Sequence, residues 1–200
     1  MTDEISNLIK YLEDPSFQNP ETGRLFHPTY IYLYNAHEEY EMQQYLQQML
    51  KRLKRPNHFL DCLLVNLYEE LIDYLKSNRL LDTTVFNEIL KKEESSPEAA
   101  QKWVIDKVEN AAFLAFLTEK IKTHFGNATN DKRVYLLIHG VGDAFPYLRA
   151  SDFLKRIESL VKNFKVILFY PGQYNDSYYN LFGEIKTDNI YRVNLLNKLI

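Results

Sequence analysis

Val134-Tyr135-Leu136-Leu137-Ile138-His139-Gly140 is the stretch on which the fold turns. Its five consecutive apolar residues show neither the one-faced spacing of an amphipathic helix nor the alternation of a half-wet strand. A short run of this kind that stops at a glycine reads as a strand buried on both faces. Val166-Ile167-Leu168-Phe169-Tyr170 is a second such run, and between the two Phe153, Leu154, Ile157, Leu160, Val161 and Phe164 recur at helical spacing. Strand, helix and strand in series predict parallel pairing through a right-handed crossover, with the functional loops at the strands' C-terminal ends.

The same grammar continues upstream. Ile5, Leu8, Ile9 and Leu12 predict an amphipathic helix that Asp14-Pro15 ends, and Phe17 to Pro28, with Pro20 and Gly23, reads as a surface loop. Tyr30 to Tyr34 is a strand, Met42 to Leu53 a helix stopped before Pro56, and Phe59 to Leu67 a buried strand leading into a helix from Tyr68 to Leu81. A short helix over Thr84 to Lys91 gives way to the polar loop Lys92-Glu93-Glu94-Ser95-Ser96. One long, largely buried helix then runs from Pro97 to Gly126-Asn127. Tyr191 to Leu195 is the last strand. The expectation is one α/β domain over residues 1–200, with an internal joint near 92–97: a three-layer sandwich whose mostly parallel central sheet has about five strands. A degenerate form of the P-loop NTPase fold is one version of that architecture.

Composition narrows the function. With 46% hydrophobic residues the chain closes a core without staples, and a net charge of -3 lacks the positive field of a non-specific nucleic-acid binder. The lone Cys62 sits in an apolar run and forms no internal disulfide, which points to a reducing cytoplasm. No export signal and no membrane-length apolar run is read.

Motifs for chemistry are incomplete. No glycine is followed by lysine, and the turn after the first strand, Asn35-Ala36-His37-Glu38-Glu39, sets carboxylates where a P-loop holds phosphate. His139-Gly140-Val141-Gly142 resembles an oxyanion-hole loop, but no Gly-x-Ser-x-Gly supplies a nucleophile. Gly140-x-Gly142 begins a dinucleotide fingerprint whose third glycine is replaced by Phe145. His139 and Asp143 form a candidate acid/base or metal pair that lacks a third ligand, and the five histidines show no ligand spacing, so no metal and no cofactor is expected. Lys51 to Arg55 reads as a cationic helix end, with phosphate contact as its alternative.

Tyr170-Pro171-Gly172 reads as a turn leaving a strand at the edge where such sheets place ligands. Tyr174, Tyr178, Tyr179 and Phe182 follow it with more ring surface than a turn needs, so Tyr170, Pro171, Gly172, Tyr174, Tyr178, Tyr179 and Phe182 are the expected partner-binding edge.

Leu137 to Pro146, Ile167 to Tyr174, Leu181-Phe182-Gly183 and Tyr191-Arg192, taken in order, resemble the BrxB family of bacteriophage exclusion (BREX) systems. The residues in those strings that match the family are His139, Gly140, Gly142, Asp143, Pro171, Gly172, Tyr174, Gly183 and Arg192, and no catalytic role comes with them. The resemblance implies a non-catalytic cytoplasmic component of a multi-protein antiviral defence system. Its neighbours there are a PglZ alkaline-phosphatase-like protein, a large ATPase and a DNA methyltransferase. An adaptor that binds the PglZ-like protein, and associates with DNA only through the complex, is the first reading. A degenerate P-loop nucleotide-sensing domain and a His139/Asp143 hydrolase are the alternatives.

Overall fold

The computed structural model describes residues 2–19, 28–55, 60–126, 134–158, 164–175, 178–188, 190 and 193–200. In chain order it contains α1 (Thr2–Glu13), α2 (Pro15–Gln18), β1 (Thr29–Tyr34), α3 (Glu39–Leu53), β2 (Asp61–Asn66) and α4 (Leu67–Ser77). The small hairpin β3 (Arg79–Leu80) and β4 (Thr83–Thr84) leads to α5 (Val85–Ser95), α6 (Pro97–Glu109) and α7 (Ala111–Phe125). Then come β5 (Val134–His139), α8 (Val141–Ala144), α9 (Ala150–Ile157), β6 (Lys165–Asn175), β7 (Tyr178–Leu181), β8 (Ile185–Asp188) and β9 (Asn194–Leu195).

The expected three-layer sandwich is present. Its central sheet runs β2-β5-β6-β1-β9 with every neighbouring pair parallel, and the second half of β6 continues into an antiparallel extension with β7 and β8. Alternation along the strands sorts the two cores. Tyr30, Tyr32, Tyr34, Cys62, Tyr135, Leu137, Ile167 and Phe169 face α1, α2 and α3, while Ile31, Val65, Leu136, Ile138, Val166, Leu168 and Tyr170 face α4 to α9. Both faces are covered, which is why these strands read as unbroken apolar runs.

The first layer is latched by polar contacts. Arg52 of α3 donates two hydrogen bonds to Glu13 of α1, at 2.5 and 2.7 Å, and the Tyr135 hydroxyl donates to the Leu12 carbonyl at 2.9 Å. At the far edge Asn197 completes what the two-residue β9 leaves short: its Oδ1 accepts from Leu33 N and its Nδ2 donates to Leu33 O. Cys62 is buried in this layer, and burial pushes its thiol up to about 12, as expected of a small inert hydrophobe.

Several expectations need correction. The single helix predicted from Pro97 to Gly126 is two, because Asn110 is extended (φ -67, ψ 145) and its side chain caps α7 by accepting from Ala112 N. Arg156 donates to the carbonyls of Val108 and Asn110, so the break leaves those acceptors satisfied. Residues 92–95 are not a loop but the last turn of α5, built from lysine, glutamate and serine with no breaker among them. The helix expected to reach Leu81 stops at Ser77, where Asn78 donates back to the Tyr74 carbonyl, and Arg79–Leu80 pairs with Thr83–Thr84 instead. Phe17 and Gln18 lie in α2 and not in a loop. Pro171-Gly172 is no turn either: β6 continues through both, and Gly172 has an ordinary φ. Phe59, Asn127, Leu160, Val161, Tyr191 and Arg192 lie outside the described residues.

Candidate binding edge at the strand ends

The C-terminal ends of β1, β2, β5 and β6 meet where the expected functional loops lie. Backbone crowding there explains the glycines. Gly140 adopts φ 73, and a Cβ on it would stand 2.1 Å from Asn66 Oδ1, the atom that caps α4 by accepting from Tyr68 N and Glu69 N. A Cβ on Gly172 would sit 2.2 Å from the Asn180 carbonyl oxygen across the β6–β7 ladder. Gly142 faces the Phe182 ring and Pro171, with a hypothetical Cβ 2.8 Å from the first and 3.2 Å from the second.

Phe182 and Gly183 form the tip of the β7–β8 hairpin, both at positive φ, 57 and 80. Phe182 N donates to the Pro171 carbonyl at 2.8 Å, which carries the β6–β7 ladder on to the hairpin tip. Strings far apart in sequence, around Gly142, Pro171 and Phe182-Gly183, therefore converge on one spot. Tyr34 ends β1 nearby, and its hydroxyl hydrogen-bonds Glu39, while burial first and that carboxylate second hold the phenol far above its usual range. The connection after β1 is a 3-10 turn of Ala36–Glu38 capped by Asn35, not a glycine loop.

The seven residues of the expected partner edge divide. Tyr170 and Tyr179 are core, their rings edge-on with centroids 6.0 Å apart, and burial pushes the Tyr179 phenol up to about 12. Pro171 and Gly172 are buried as well. What faces out is Tyr174 at 40% exposure and Phe182 at 43%, with Tyr178 half-buried beside them. Ile185, missed in the sequence, adds apolar surface just past the hairpin tip. The Tyr174 ring rests on Tyr179, with the Lys198 ammonium 5.8 Å from its centroid.

His139 and Asp143 do not form a pair. His139 is buried on the α3 side with no partner for Nδ1, and burial alone holds its imidazole down at about 4, whereas Asp143 is exposed on α8. Among the described residues no three His, Cys, Asp or Glu side chains are grouped to hold a metal ion, and no helix is long and apolar enough to cross a membrane. Arg192 lies outside the described residues.

Comparison with known proteins agrees with the convergent strings. A family model described as "BREX protein BrxB" matches residues 63–196, more than half of the chain. A "BREX protein BrxB" from Bacillus cereus (strain H3081.97) is 26% identical over 194 residues, covering 96% of this chain and 95% of that relative. Another, from Escherichia coli O9:H4 (strain HS), is 24% identical over 169 residues, covering 82% and 74%. No solved structure matches significantly.

Proposed function

The chain belongs to the BrxB family of BREX proteins, and from there we propose that it serves bacteriophage exclusion as an adaptor, binding first the PglZ-like protein of the system. Family membership makes it a BREX, antiviral-defence protein. The adaptor role and the choice of partner are our reading.

The observation that carries this reading is Phe182. A non-glycine residue in the left-handed region costs about 1–2 kcal/mol, and this one also leaves its ring partly in water. Stability alone favours glycine or asparagine there. Strain held in an exposed aromatic at a hairpin tip is explained by a partner that takes the ring. Tyr174, Tyr178 and Ile185 extend the surface, and aromatic rings of this kind anchor protein interfaces.

A binding role without catalysis is supported by the burial of His139, whose Nδ1 has no partner, and by the exposed position of Asp143. With a net charge of -3, contact with DNA runs through the complex. The buried free thiol suits the cytoplasm. The test is a Tyr174→Ala, Tyr178→Ala double variant titrated with the purified PglZ-like protein. Loss of two interfacial rings lowers affinity by about tenfold or more at unchanged melting temperature. Full affinity in a folded double variant overturns this edge as the contact.

A further inference from the structure

The other end of the sheet is open. Among the described residues no strand pairs with β2 on the side away from β5, and a groove of about 300 Å³ runs along that edge. Leu50 and Lys54 of α3 line one flank, Lys120 and His124 of α7 line the other, and Leu63 and Leu64 of β2 lie between them. Natural edge strands are usually blunted by lysine, proline or a bulge. The β2 sequence Asp61-Cys62-Leu63-Leu64-Val65-Asn66 has neither lysine nor proline, and its ladder with β5 is regular.

Two buried polar groups line the same groove without full partners. Glu70 Oε1 accepts from the Lys120 ammonium, and Glu70 Oε2 is unpartnered; His139 Nδ1 is unpartnered too. Both residues are more than nine-tenths buried, at 5% and 7% exposure, so these vacant positions cost stability until a donor or acceptor arrives. The surrounding charge is balanced, Lys54 and Lys120 against Glu69 and Glu70, while His124 is taken by Asp61 at 2.8 Å. Such a lining selects neither a phosphate nor a bare cation. It suits a neutral, slender occupant rich in amide groups.

We infer that the outer edge of β2 receives an extended peptide segment of a partner protein as an added strand, its main chain pairing with residues 61–66 and its amides or hydroxyls reaching Glu70 and His139. A second copy of this chain fits less well, because its own α3 and α7 flank its β2 and two flanked grooves do not nest. The inference does not depend on the aromatic edge. Together the two surfaces would let one small chain hold two partners.

The experiment titrates the full chain with overlapping 12-residue peptides tiled across the other proteins of its BREX system, following anisotropy and amide exchange. One peptide should bind and slow exchange of the amides in 61–66. N-methylating that peptide at alternate residues should weaken it about tenfold in one register and leave it within about twofold in the other, as strand pairing requires. The inference is overturned if no peptide protects β2, or if methylation in neither register matters. It is overturned equally if the chain alone is a dimer with β2 already protected, since a second copy would then fill the groove.

Discussion

Acidification should destabilise the fold through His139, and the structure sets the size of the effect. Burial holds its imidazole at about 4, against 6.5 when solvated. Between those values the unfolded chain takes up a proton that the folded chain refuses, so the contribution is fully present above pH 6.5 and is lost as pH falls toward 4. At about 1.4 kcal/mol per pH unit the gap amounts to about 3 kcal/mol. Urea unfolding of the wild type and a His139→Gln variant at pH 7.5, 5.5 and 4 isolates it, because carboxylate losses are common to both. With an m-value of about 2 kcal/mol per M, the wild-type midpoint should fall by roughly 1.5 M more than that of the variant. Midpoints that fall in parallel would refute the burial argument.

The remaining expectations concern the strand ends. Gly172→Ala drives a methyl into the Asn180 carbonyl and should cost about 3 kcal/mol, read as a lowered urea midpoint. Gly140→Ala adds the left-handed penalty to a clash with the α4 cap and should cost about 2–3 kcal/mol, with fraying at Leu67 to Glu70 seen by amide exchange. Phe182→Gly relieves strain while losing the ring's packing against Gly142, so its melting temperature should stay near wild type while partner affinity falls. A variant that binds normally removes Phe182 from the interface.

Much of the sheet was legible because β1, β5 and β6 are covered on both faces, and that leaves apolar runs no helix would show. The helix break at Asn110 was hidden, since its neighbours Glu109, Ala111 and Ala112 are good helix formers and the carbonyls left at the break are satisfied by Arg156 from a distant helix. Pro171-Gly172 carries strong local turn preference, but here the ladder to β7 overrides it: the glycine is needed for close approach to Asn180, not for a positive φ. The convergence of Gly142, Pro171 and Phe182 was foreshadowed only by the family-like strings. Burial of Tyr179 was not readable, because tyrosine serves cores and surfaces alike. The groove beside β2 was invisible, because Glu70 and His139 are neighbours only once β2 and β5 have paired.

The most direct measurement is size-exclusion chromatography of this chain mixed with each purified BREX component in turn. An adaptor should co-elute stoichiometrically with the PglZ-like protein, and the Tyr174→Ala, Tyr178→Ala variant should elute apart from it. Separate elution of the wild type from every component would contradict the adaptor role itself.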